Sequence, residues 1–150
     1  ESMRLYPPAY AIGREAVEED RILGHPIPSK SIILISIYAL HRDPQHWEEP
    51  EAFRPERFAA EQLKERPRLA YMPFGAGPRM CIGNHFAMME MQLLLAMLVR
   101  RFDFELVEGH PVEPEPLITL KPKHGLLMRV RPRTHRPAGK TPAQVSGGSG

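Results

Sequence analysis

Proline interrupts helices and removes a donor from sheet ladders, and this chain carries 17 of them in 150 residues, with none between Pro78 and Pro111. Short elements joined by irregular chain are therefore expected nearly everywhere except in that gap. From Ile82 to Phe102 the only glycine is Gly83, and Met, Leu, Ala, Glu and Gln dominate. The stretch predicts one long helix. Phe86, Met89, Leu93 and Met97 fall on one face and Met88, Met91, Leu95 and Leu98 on another. A helix apolar nearly all round is expected to be buried, with its methionines as core filler. Arg100 and Arg101 suit its negative C-terminal end.

Elsewhere the segments are short. Glu1 to Tyr6 reads as the end of a helix stopped by Pro7 and Pro8, followed by an extended piece over Ala9 to Ile12. Asp20 to Pro28 reads as a hairpin turning near Gly24. Ser31 to Leu40 is rich in β-branched residues and predicts a buried strand running into a short helix. His41 to Phe58 is expected to be a loop with helical pieces, anchored by Trp47, and Leu63 to Phe74 irregular chain. Phe102 to Val107 and Leu126 to Val130 predict strands, the second with Leu126, Met128 and Val130 alternating against Arg129 and Arg131. The fold class is mainly α with small β-sheets, an α+β arrangement in one domain over 1–133. The tail over 134–150 is almost without large apolar side chains and is expected to be disordered.

Charge and cysteine content exclude several function classes. Lys and Arg number 20 against 18 Asp and Glu, which points to neither nucleic acid nor an anionic membrane. The basic residues that follow Glu115, from Lys121 to Lys140, read as a solvated strand and tail, with a docking patch for an acidic partner as the alternative. One cysteine forms no internal disulfide, so a secreted disulfide scaffold is excluded. No apolar run reaches the ~20 residues needed to span a bilayer. The chain starts with Glu rather than Met and reads as beginning mid-protein. The histidines His41, His46 and His85 stand without metal-ligand spacing and are assigned structural or surface roles.

The chemistry concentrates at Phe74-Gly75-Ala76-Gly77-Pro78-Arg79-Met80-Cys81-Ile82-Gly83. Two glycines and a proline ahead of the cysteine imply a tight loop whose backbone approaches something flat or bulky. The cysteine then sits at the mouth of the long helix, where the free amides of Ile82, Gly83 and Asn84 and the dipole favour negative charge on sulfur. Arg79 adds positive charge two residues away. A single thiolate without cysteine or histidine partners suits one axial position on a haem iron better than a tetrahedral metal site.

This decapeptide resembles, at every defining position, the F-G-x-G-x-R-x-C-x-G haem loop of the cytochrome P-450 family. The resemblance runs over residues 1 to about 133. Glu1-Ser2-Met3-Arg4 resembles the E-x-x-R motif at the end of the family's K helix, and Phe53-Arg54-Pro55-Glu56-Arg57-Phe58 its P-E-R-F region. The chain thus looks like the C-terminal haem-binding portion of that fold, from the end of the K helix onward. The resemblance implies that Cys81 is the catalytic thiolate and the metal ligand of haem b (iron protoporphyrin IX). It implies that Phe74, Gly75, Arg79, Ile82, Gly83 and Ala87 line the cofactor, Phe74 packing near the sulfur, and that Arg14 and Arg79 pair with haem propionates. By the same likeness Glu1, Arg4 and Arg57 would form a buried ionic triad. Ala9, Tyr10, Ala11 and Ile12, with Leu117, Ile118 and Thr119, would reach the substrate pocket.

The family likeness also implies a haem-thiolate monooxygenase. Such an enzyme inserts one atom of O2 into a small organic substrate, with electrons from NAD(P)H through a ferredoxin or flavoprotein reductase. The proximal surface near Arg79 would be the docking face. Two alternatives remain open: a peroxygenase or isomerase on the same fold, and a non-catalytic haem-binding sensor or electron carrier. The family's distal helix is expected upstream of this chain, so residues 1–150 alone are expected to bind haem poorly and not to turn over. Membrane attachment and location stay undetermined; a soluble bacterial enzyme would be cytoplasmic.

Overall fold

The structure, a computed structural model, describes residues 1–133. The tail over 134–150 lies outside the described residues. The opening helix α1 (Ser2–Leu5) ends at Tyr6, ahead of the two prolines. Strand β1 (Ala11–Glu15) pairs antiparallel with β4 (Ile32–Ser36), placing Ile12 opposite Ile35. Between them lies the hairpin β2 (Asp20–Ile22) and β3 (His25–Ile27). Leu23 and Gly24 both have positive φ, 51° and 85°. That pair of left-handed residues matches the twist of a two-residue hairpin loop.

β4 runs directly into α2 (Ile37–Leu40), whose first turn is capped by the Ser36 hydroxyl accepting from the Ala39 amide. The predicted strand is present, but it is not buried: Ile32 and Leu34 are 70% and 68% exposed. The sheet has only two strands. Pro55 opens a 3-10 turn over Pro55–Phe58. The chain beyond it is more regular than expected, with α3 (Ala60–Glu65) and a second 3-10 turn over Arg68–Ala70. Glu61 in the first turn of α3 and Lys64 in its last complement the dipole, an arrangement that proline-flanked brevity conceals in the sequence.

The long helix α4 spans Asn84–Arg101 and passes straight into β5 (Phe102–Leu106). β5 pairs antiparallel with β8 (Met128–Pro132), Phe104 opposite Val130. The proline-flanked hairpin β6 (Pro114–Pro116) and β7 (Leu120–Pro122) lies between them. Its tip is tied to the start of the chain: the Tyr10 hydroxyl donates to the Leu117 carbonyl at 2.9 Å, and the Leu120 amide to the Pro8 carbonyl at 2.9 Å.

The burial expected for α4 is corrected by the structure. None of its residues is buried, and Phe86 and Leu95 are 65% and 62% exposed. Within residues 1–133 the helix meets β5 at its end and the cleft wall through Ala87 and Met91, and most of its apolar circumference stays exposed. The side chains that are buried cluster instead around Trp47: Leu5, Ile37 and Ala70, with the polar Arg4, His41 and Arg57. A core this rich in charge holds only if its charged groups are paired and hydrogen-bonded.

Candidate functional site

Much of that pairing converges on Glu1, although Arg57 Nε is left with an ion-pair contact and no hydrogen bond. Arg4 donates from Nε to Glu1 Oε2 at 2.9 Å and from Nη2 to Oε1 at 2.8 Å, a bidentate contact. Its remaining hydrogens go to the carbonyls of His41 at 2.8 Å, Pro50 at 2.6 Å and Ala52 at 3.0 Å. Arg57 brings Nε within 3.5 Å of Glu1 Oε1 and donates from Nη2 to the Glu49 carbonyl at 2.9 Å. Burial alone would raise the Glu1 carboxyl, but hydrogen bonds from Arg4 and the Arg54 amide outweigh it and hold it below the usual range. The guanidinium of Arg4 lies 4.9 Å from the centre of the Trp47 ring, and that of Arg66 4.3 Å from it. The Trp47 indole donates to the Leu40 carbonyl at 3.2 Å. The three residues expected to form a triad are thus joined, and they pin the loop between α2 and α3.

The cysteine loop hangs from this cluster. Gly75 and Gly77 take φ of 74° and 71°, left-handed values that side-chain-bearing residues rarely adopt. They allow two tight turns, Gly75 amide to Met72 carbonyl at 2.9 Å and Met80 amide to Gly77 carbonyl at 3.1 Å, and the loop is closed by the Cys81 amide on the Phe74 carbonyl at 3.0 Å. Pro78 sits in the first turn of the 3-10 segment Gly77–Arg79. The result brings Cys81 back beside Phe74, with an exposed thiol two residues before Gly83 caps α4. A Cβ placed on Gly83 would lie 3.9 Å from the sulfur, so sulfur and helix mouth adjoin.

Cys81 opens on a cleft of about 450 Å³. Its walls are largely apolar, from Ala9, Ile12, Phe74, Ala87 and Met91, and two guanidinium groups, Arg14 and Arg79, stand at it. Six of the residues singled out from the cysteine motif and its surroundings therefore meet in one place: Arg14, Phe74, Gly75, Arg79, Cys81 and Ala87. Ile82 and Gly83 are not among the lining residues, and Ile82 is fully exposed. Ala9 and Ile12 face the cleft, whereas Tyr10 and Ala11 do not; Tyr10 is turned toward the β6–β7 tip. Leu117 and Ile118 stand at that tip outside the cleft, Ile118 almost wholly exposed.

Met3, Pro8, Pro73 and Met91 also line the cleft, and the motif did not point to them. Met91 lies four residues beyond Ala87 on the same helix, so helical spacing carried its signal. Pro8 and Pro73 adjoin Ala9 and Phe74 in the chain, and Met3 is placed by tertiary contact. Among the described residues no three His, Cys, Asp or Glu side chains gather to hold a metal ion.

The cytochrome P450 family model matches residues 1–129. Thromboxane-A synthase of Sus scrofa is 41% identical over 135 residues, which cover 89% of this chain and 25% of that protein. Cytochrome P450 3A1 of Rattus norvegicus is also 41% identical over 135 residues, 89% of this chain and 27% of the relative. A solved structure described as retinoic acid bound cyanobacterial CYP120A1 superposes with a TM-score of 0.83 at 32% identity, over 87% of this chain and 31% of that one. The chain thus spans about a quarter of the length of the curated relatives it matches. Matched from its first residue to the start of β8, with the cysteine loop, the Glu1 cluster and the cleft inside the match, this chain belongs to the cytochrome P450 family.

Proposed function

We propose that Cys81 is the axial thiolate ligand of haem in a monooxygenase that inserts one oxygen atom of O2 into a small organic substrate. One observation carries the assignment: the chain's single cysteine stands exposed at a cleft of about 450 Å³ with apolar walls and two arginines. P450 proteins are haem proteins, and the residues present fit that group. Apolar walls suit a porphyrin face, Arg14 and Arg79 suit its propionates, and the exposed sulfur suits its iron. When bound, haem supplies oxygen activation, to which an axial thiolate contributes electron density.

The chain's own residues provide position. Gly75 and Gly77 shape the loop, the Phe74 carbonyl holds the Cys81 amide, and the Phe74 ring lines the same cleft. Ala9 and Ile12 stand on the wall formed with β1, where a substrate would meet the chain. Electrons from NAD(P)H would arrive through a ferredoxin or flavoprotein reductase, whose docking face is assigned to the surface around Arg79.

The test is the full-length haem-loaded protein, reduced and saturated with carbon monoxide. A thiolate-type Soret band, lost in Cys81→His, supports the assignment; a histidine-type band in the unsubstituted protein overturns it. The 41% identity to a protein named a synthase favours one second reading, rearrangement of a substrate without external electrons. Product formation that needs no NAD(P)H would select it.

A further inference from the structure

His41 is the one histidine among the described residues that is fully buried; its Nε2 has a hydrogen-bond partner and its Nδ1 has none. Its ring stacks on Tyr71, centroids 5.1 Å apart, and meets the edge of Trp47 at 6.4 Å. At Nε2 it accepts the Met72 amide hydrogen at 3.0 Å. An amide only donates, so Nε2 carries no proton and the ring is the neutral Nδ1–H tautomer. Burial pushes its pKa down to about 4, outweighing the Arg4 and Met3 carbonyls that favour the protonated ring.

The two sides of His41 connect different parts of the molecule. Its backbone carbonyl accepts from Arg4 Nη1 at 2.8 Å, and Arg4 is held bidentate by Glu1. Its side chain holds Met72, whose carbonyl accepts the Gly75 amide at 2.9 Å; one residue earlier in the same turn, the Phe74 carbonyl accepts the Cys81 amide at 3.0 Å. Pro73 has no amide hydrogen, so the Met72 amide is the last donor before the loop turns.

We propose that His41 is a positioning residue for the haem ligand: its imidazole couples the buried Glu1–Arg4–Arg57 cluster to the Met72–Cys81 loop and fixes where the sulfur stands. The inference rests on the reading of Cys81 as the axial thiolate, and predicts that an acceptor at this position, rather than bulk, keeps that ligand in place.

The experiment compares His41→Leu and His41→Gln in the full-length haem-loaded protein. Gln can present an oxygen where Nε2 lies; Leu fills the space without an acceptor. Expected is a loss of the thiolate-type Soret band of the reduced carbon monoxide complex about tenfold faster in His41→Leu, the size expected for one orphaned buried donor. His41→Gln should stay within about twofold of the parent, since its acceptor replaces the lost one. A Leu variant that keeps the parent rate, or a Gln variant as fast as Leu, overturns the inference. A parent that never shows the thiolate band overturns instead the assignment of Cys81. Should the Leu variant not fold, 15N shifts of His41 in the parent decide: an unprotonated Nε2 at neutral pH supports the coupling, and a protonated one overturns it.

Discussion

Tyr10 donates its hydroxyl hydrogen to the carbonyl of Leu117, 107 residues along the chain, at 2.9 Å. Together with the Leu120 amide on the Pro8 carbonyl, this bond straps the β6–β7 tip across the segment that enters the cleft. In Tyr10→Phe the ring remains and only the strap weakens. The Leu120 amide should exchange about fivefold faster, as expected for one modest hydrogen bond, with global stability little changed. Hydrogen exchange read at single amides checks this.

Arg4 presents a sharper case. Its guanidinium serves a buried carboxylate and three carbonyls at once. Lysine keeps the charge but loses the planar fork, so Arg4→Lys should leave acceptors unmatched. Arg4→Ala removes one partner of a buried pair and should cost about 3–5 kcal/mol. Chemical denaturation of the full-length protein should place Lys between the parent and Ala.

Acid should dissolve the same cluster, in a fixed order. The folded state lowers the His41 pKa from 6.5 to about 4, so folding favours the neutral ring. The unfolded chain binds that proton first; the stability is complete above the unfolded value and drains away as pH falls from 6.5 toward 4. The contribution at stake is up to about 3 kcal/mol. Glu1 is also lowered, from 4.5, so its ion pair is lost only below that pH, as its carboxylate is protonated in the folded state. Denaturation midpoints measured across this range should fall first through the His41 window, and His41→Gln should flatten that part of the curve.

Arg14 and Arg79 should separate cofactor retention from folding. On the proposed reading, Arg14→Gln and Arg79→Gln each remove one charged partner for a propionate, a contact worth about 1.5–3 kcal/mol. Haem transfer to an apo-globin acceptor should accelerate about tenfold or more in each, while thermal unfolding of the apoprotein stays unchanged.

Much of this was legible in residues alone, and the parts that were not have physical reasons. The cysteine loop could be read because its glycines and proline are demanded by backbone geometry, which sequence records directly. Gly75 and Gly77 do take left-handed φ. The joining of Glu1, Arg4 and Arg57 is implied by the family resemblance and not by the residues alone, and the structure brings the three together. The use of the His41 ring was not legible, because nothing local to Leu40-His41-Arg42 announces a bond to Met72, 31 residues away. The proline-bounded β6–β7 hairpin escaped for the opposite reason: its local signals speak against a strand, and tertiary tethers through Leu117 and Leu120 accompany it. Burial of α4 was inferred from composition, which reports what a helix needs and not what residues 1–133 supply.

The uncovered circumference of α4 has a mechanical corollary. A rod greasy on every side has no side of its own that must point inward, so composition leaves its rotation about the long axis undetermined. Among the described residues that angle is fixed by the Ala87 and Met91 edge at the cleft and by the two ends of the helix. At one end is the turn through Cys81 and Gly83; at the other, the direct passage into β5, where the Arg133 amide meets the Arg101 carbonyl at 2.7 Å. Within residues 1–133 the sulfur and the β5–β8 pair thus stand at opposite ends of one eighteen-residue helix.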